Sequence, residues 1–202
     1  KNNGCALELK YGTWKISSYE PADARALCAA GFSPITAALL CSRGYRDAGA
    51  AREFLSCSYP LSSPFALLDM DKAAARVKQA LSRREHIAVF GDYDVDGITA
   101  TCLLTEYLRS KGGHVTSYIP ARLEEGYGLN PIAIDTLKKQ GVELIVTVDC
   151  GITANHEAAL CRELGIDLVI TDHHECKSEL PQAIALVDPH RKDQPQPVTA
   201  MA

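Results

Sequence analysis

Three short apolar runs, each ending in acidic or histidine residues, constrain this chain more than any other feature of its sequence. Ile87-Ala88-Val89-Phe90 runs into Gly91-Asp92-Tyr93-Asp94-Val95-Asp96-Gly97. Leu144 to Val148 runs into Asp149-Cys150-Gly151, and Leu168 to Thr171 runs into Asp172-His173-His174. A short, continuous apolar run bounded by turn residues suits a parallel strand buried on both faces. Helical patterns separate the runs: Ile98 to Arg109, Pro131 to Lys139 and Thr153 to Leu164. Val115 to Ile119 and Ile184 to Val187 supply two further strands. Strands alternating with helices at this spacing predict an α/β fold, a parallel, doubly wound sheet of about five strands with right-handed crossovers.

Upstream the pattern is helical. Pro21 to Ala30 and Ser33 to Ser42 are rich in Ala and Leu, and Ser33-Pro34 is a cap and first-turn pair. Asp47 to Leu55 reads as a short helix and Pro60 to Pro64 as a loop. Asp71 to Arg84 places Ala74, Val77 and Leu81 on one helical face. The expected organisation is a helical N-terminal region over residues 1–84, a metal-binding domain over 85–192, and a frayed tail over 193–202, where Gln-Pro-Gln-Pro lacks apolar periodicity.

Composition narrows the classes. No apolar run approaches the roughly 20 residues of a membrane-spanning helix, and the N-terminus has no charged-then-apolar leader pattern. A soluble, cytoplasmic protein is expected. The eight cysteines are scattered, with no CxxC pair, so packing as small apolar groups is expected rather than zinc or disulfides. A formal net charge of −4 argues against binding nucleic acid by bulk electrostatics alone. It leaves open a nuclease that draws phosphate with bound metal.

Ligands of open parallel sheets bind beyond the carboxyl ends of the strands. The three acidic and histidine clusters therefore converge on one edge although they span some eighty residues. Asp92, Asp94, Asp96, Asp149 and Asp172, with His173 and His174, would repel one another and be costly to desolvate without cations. Carboxylate-rich sites with one or two imidazoles suit Mn²⁺ or Mg²⁺ better than zinc. Two such ions about 3.5–4 Å apart serve phosphodiester hydrolysis. Residues two apart on an extended chain point the same way, so Asp94 and Asp96 are expected to feed neighbouring ions, with Gly97 easing the turn into the next helix. The Asp-x-Asp-x-Asp-Gly run also resembles the start of an EF-hand loop. That motif needs Glu at position twelve, where this chain has Leu103, and a helix rather than a strand before the loop.

Gly91 to Gly97, Val148-Asp149-Cys150-Gly151 and Asp172-His173-His174 resemble motifs one to three of the DHH phosphoesterase superfamily. The Gly-Asp-Tyr-Asp-Val-Asp-Gly form is similar to its RecJ branch. So are Pro120-Ala121-Arg122, Glu125 to Leu129, and Leu39 to Gly44. The resemblance runs from Trp14 to about Pro189. It implies Asp94 on a first metal, Asp96 and His173 on a second, and Asp149 bridging both. It implies His174 against the scissile phosphate, Asp92 and Asp172 orienting ligands, and Arg122 and Tyr127 as substrate-binding residues for phosphate and base. The implied activity is 5′→3′ hydrolysis of single-stranded DNA in repair and recombination. Members of the family carry a fourth Asp motif and further domains downstream of Asp-His-His. Two alternatives therefore stand beside the exonuclease: a catalytically incomplete domain that binds metal or nucleic acid without turnover, and a phosphoesterase of short oligonucleotides.

Overall fold

A computed structural model describes residues 6–9, 12–15, 17–56, 63–121 and 128–195. The chain divides into two compact units, Lys1–Leu61 and Ser62–Ala202.

In the first unit, β1 (Ala6–Leu9) pairs antiparallel with β2 (Gly12–Lys15). This hairpin was not expected in a region read as helical. Three helices follow, α1 (Pro21–Ala29), α2 (Pro34–Ser42) and α3 (Ala48–Ser56). Ser33 caps α2 as its sequence predicts, its hydroxyl accepting from the Thr36 N–H at 3.2 Å. Leu27, Ala37, Leu40, Cys41 and Ala51 form a small core of their own.

The second unit begins with a 3₁₀ turn at Pro64–Ala66 and α4 (Met70–Arg83). The remaining elements are β3 (His86–Gly91), α5 (Val95–Ser110), β4 (His114–Tyr118), α6 (Pro131–Lys139), β5 (Leu144–Val148), α7 (Asn155–Glu163), β6 (Asp167–Thr171) and β7 (Ala185–Val187). The five strands form one parallel sheet in the order β4-β3-β5-β6-β7. This is the doubly wound sheet the sequence predicts. Side chains alternate along each strand, so two cores result. Ala88, Phe90, Ile145, Leu168 and Ile170 face α6 and α7. Ile87, Val89, Val146, Val169 and Val187 face α4 and α5.

The boundary between units lies well before residue 84, because α4 packs on β7. The expected tail also begins too early. Arg191 donates to Asp69 at 2.7 Å and to the Leu186 carbonyl at 2.6 Å, and it pairs with Asp193. Gln194 accepts from the Leu68 N–H and donates to the Ala66 carbonyl. These bonds pin residues 191–194 to the segment that leads into α4. Asp193 and Gln194 are thus ordered by long-range partners that composition does not reveal.

Among the described residues no helix is long and apolar enough to cross a membrane. Cys41, Cys150 and Cys161 are buried free thiols, as packing predicts, and burial pushes the Cys150 thiol well up. Cys28 and Cys176 are half-buried, and among the described cysteines Cys102 departs furthest. It is exposed beside Leu103 on the outer face of α5, because the apolar run that contains it winds around a helix instead of lying along a strand.

Candidate metal centre

The strand order reverses between β3 and β5: β4 lies on one side of β3, and β5, β6 and β7 follow on the other. The crevice beyond the carboxyl ends of the strands at such a switch point is the preferred ligand site of doubly wound sheets. Asp92 follows β3, Asp149 follows β5 and Asp172 follows β6, so the topology delivers all three clusters there. The ladder continues past the strand ends. The Asp149 N–H donates to the Thr171 carbonyl, and the Asp172 N–H donates to the Val187 carbonyl, each at 3.0 Å.

The glycines of the first cluster are required by close approach. A Cβ on Gly97 would lie 2.4 Å from the Asp92 carbonyl oxygen and 2.6 Å from its nitrogen. A Cβ on Gly91 would lie 1.9 Å from Thr101 Oγ1 and 2.8 Å from the Gly97 carbonyl oxygen. The first turn of α5 therefore rests directly on the end of β3. Asp92 is buried there, 2% exposed. Asp94 is the N-cap of α5 and accepts from the Gly97 N–H at 2.9 Å. That N–H holds the Asp94 carboxyl below the usual aspartate range.

Asp149 sits in the left-handed region, at φ 61°, a conformation that costs a non-glycine residue roughly 1–3 kcal/mol and clusters at functional sites. Its Oδ1 lies 2.8 Å from His173 Nε2. Burial pushes the Asp149 carboxyl up, and the neighbouring Asp94 charge adds to the rise. Asp172 holds the third cluster in shape. Its Oδ1 accepts from the His173 and His174 N–H groups and lies 2.7 Å from His174 Nδ1; its Oδ2 accepts from the Ile152 N–H at 2.9 Å. The hydrogen bond to Asp172 raises the His174 imidazole above the usual histidine value.

Two overlapping groups result. Asp92, Asp94 and Asp149 offer ligand atoms all within 4.8 Å of one another, and so do Asp149, His173 and His174. Asp149 belongs to both. Oδ1 of Asp92 and Oδ2 of Asp149 are buried without a hydrogen-bond partner among the described residues. Carboxylate oxygens left so in an acidic pocket fit a hard divalent cation, and this donor set of oxygen with imidazole suits Mn²⁺ or Mg²⁺.

Asp96 is placed otherwise than the extended-chain argument predicts. The strand ends at Gly91 and α5 starts at Val95. Asp94 and Asp96 thus flank a helix start, where residues two apart point to different sides. Asp96 is exposed on the first turn and falls in neither ligand group. Asp92, expected to orient ligands from behind, offers an oxygen to the first group directly. Arg122 and Tyr127 lie outside the described residues.

Sequence reasoning placed Asp188 at the end of a strand, near the site, but did not count it as a replacement for the fourth Asp motif. It closes β7, is fully buried, and gives Oδ1 to the His190 N–H at 2.7 Å, while Oδ2 has no partner among the described residues. Its position one residue past an apolar strand, as with Asp92, Asp149 and Asp172, is the signal that pointed to it.

Comparison with known proteins agrees with this fold. Over 158 residues the chain is 46% identical to the single-stranded-DNA-specific exonuclease RecJ of Bacillus subtilis, covering 78% of this chain and 20% of the relative. Over 182 residues it is 36% identical to the RecJ of Salmonella typhimurium, covering 90% of this chain and 31% of the relative. The crystal structure of RecJ from Thermus thermophilus in complex with Mn²⁺ superposes with a TM-score of 0.62 at 29% identity, over 90% of this chain and 26% of that one. The chain thus spans a third or less of the length of these relatives. Residues 86–201 match the model of the DHH family, N-terminal domain, and the chain belongs to that family.

Proposed function

We propose that this chain is the metal-binding part of a RecJ-type nuclease, which hydrolyses phosphodiester bonds of single-stranded DNA from the 5′ end with Mn²⁺ or Mg²⁺. The setting we infer is DNA repair and recombination in the cytoplasm. The observation that carries the reading is the pair of ligand groups sharing Asp149. One shared carboxylate between two clusters is the arrangement a two-ion site needs.

Asp92 and Asp94 would hold one ion with Asp149; His173 would hold the other with Asp149. Divalent ions there would supply the positive charge that draws in a phosphodiester and favours ionised water. Asp172 fixes the His174 ring through Nδ1 and favours its protonated form, so His174 presents positive charge toward a phosphate. The Asp96 carboxylate, one turn into α5, would reach the second ion only if its rotamer or the helix start shifted on metal binding. Arg122 and Tyr127 remain the proposed phosphate and base contacts.

An incomplete domain that binds metal without turnover is the second reading. It is favoured by the exposed Asp96, which leaves Asp149 as the sole carboxylate of the second group. The discriminating experiment is Mn²⁺-dependent degradation of 5′-labelled single-stranded DNA, with Asp94→Ala as control and calorimetry of Mn²⁺ binding alongside. Cleavage lost in Asp94→Ala supports the nuclease. Bound Mn²⁺ without cleavage supports the incomplete domain. Cleavage confined to substrates a few nucleotides long indicates a short-oligonucleotide phosphoesterase. Asp149→Ala should abolish binding of both ions, whereas His174→Ala should spare binding and lower cleavage.

A further inference from the structure

At the end of the sheet remote from the metal centre, two histidines open the β3–β4 ladder as its first register pair. The His86 and His114 rings stack with centroids 3.8 Å apart and planes 17° apart. His86 is buried and His114 is exposed. His86 Nδ1 lies 3.1 Å from the Gln140 carbonyl, which can only accept, so this nitrogen carries the proton. His86 Nε2 lies 2.7 Å from Thr116 Oγ1 on β4. In the neutral ring Nε2 accepts from the Thr116 hydroxyl. One imidazole thus ties the start of the edge strand to the C-terminal end of α6.

We propose that the stacked His86–His114 pair is an acid-sensitive clasp on the edge strand β4, closed while the His86 ring is neutral and loosened when it takes up a proton against the His114 ring stacked on it. The charged groups around it point both ways. Glu143, ahead of β5, accepts from the His86 N–H at 3.2 Å, and its charge favours protonation of the ring, as does the Gln140 carbonyl. Glu85, the preceding residue, is committed to Arg76 and Arg83. Arg109 of α5 donates to the Val115 carbonyl and adds positive charge near the start of β4. Burial, and then the stacked His114, outweigh Glu143 and hold His86 below the usual histidine value of 6.5.

The sign follows. A base whose value is lowered by folding binds protons more readily when unfolded, so its stabilising contribution is full above pH 6.5 and is lost as pH falls through the lowered native value. The loss is local. β4 is the sheet's edge with one strand neighbour, whereas β5 lies between two.

Amide hydrogen exchange across pH 7.5 to 5.5, corrected for intrinsic rates, tests the clasp. Protection of His114–Tyr118 relative to Leu144–Val148 should fall by about tenfold, the order of change expected when opening of the strand is coupled to uptake of a proton. In His114→Gln, an exposed substitution that leaves the fold intact, the ratio should stay flat, and the His86 titration followed by NMR should move up toward 6.5. Parallel behaviour of β4 and β5 in the parent chain would overturn the proposal. So would an equal loss in His114→Gln, or a His86 titration unmoved by that substitution.

Discussion

Single atoms decide the two residue-scale predictions. Gly97 lies on the first turn of α5, where replacing Gly by Ala in a helix ordinarily gains about 1 kcal/mol. Here the added methyl would sit 2.4 Å from the Asp92 carbonyl oxygen, a backbone atom that cannot swing aside. Overpacking of this kind costs about 1–3 kcal/mol, so Gly97→Ala should lower the urea midpoint instead of raising it. It should also weaken Mn²⁺ binding, because Asp92 and Asp94 flank the point of contact. Asp188→Asn should act in the other direction. Burial raises the Asp188 carboxyl above the usual aspartate range. An acid raised by folding holds its proton more tightly in the folded chain, so its contribution to stability declines as pH rises through the native value. The amide keeps the oxygen that accepts from the His190 N–H and removes the buried charge. The variant should therefore gain stability relative to the parent as pH rises above the usual aspartate range, read by denaturant titration across pH.

At the scale of elements, buried ion pairs tie helix to sheet. Arg76 on α4 reaches Glu85 and Asp167, both at 2.6 Å, and thereby fastens α4 to the start of β6. Arg76→Ala would leave Glu85 with little solvent and only the longer 3.8 Å contact to Arg83. Breaking a buried pair at one end costs about 3–5 kcal/mol, and the exposure of Asp167 argues for the lower figure. Chemical denaturation of Arg76→Ala should show that loss, and Arg76→Ala with Glu85→Gln should recover part of it. The helix and strand spans were legible because apolar periodicity and caps such as Ser33 and Asn130 are local signals. The hairpin of β1 and β2 was not legible, since four-residue strands are too short for a period of two to stand out. The Asp-x-Asp-x-Asp run misled for a related reason. A period of two suits an extended chain, and nothing local says that the helix starts at Val95 rather than at Ile98.

At the scale of the molecule, the metal centre is a point of stored repulsion. Asp94 and Asp149 are neighbouring carboxylates and Asp149 is held at a left-handed φ. Cations that bind only the folded state stabilise it by mass action, about 2.7 kcal/mol at a hundred times the dissociation constant. Added Mn²⁺ should raise the thermal midpoint of the parent chain in a concentration-dependent way and leave that of Asp149→Ala unchanged. The response should weaken as pH falls, because burial raises the Asp149 carboxyl and protons then compete with the cation for it. A response identical in Asp149→Ala would mean that Mn²⁺ binds elsewhere.

The sequence by itself determined the class of the fold and the placing of its acidic and histidine clusters at strand ends. Apolar runs buried on both faces read as parallel strands, and acidic clusters at their ends could only meet beyond the sheet. Those inferences rest on near neighbours along the chain, whose spacing any sequence displays. Only the tertiary structure decided the strand order that places Asp92 and Asp149 at the switch point, the sharing of Asp149 by two ligand groups, the outward position of Asp96, and the burial of Asp188. Each depends on contacts between residues far apart in sequence, or on where a helix begins against a strand end. Distances and directions of that kind are set by packing, which local pattern does not encode.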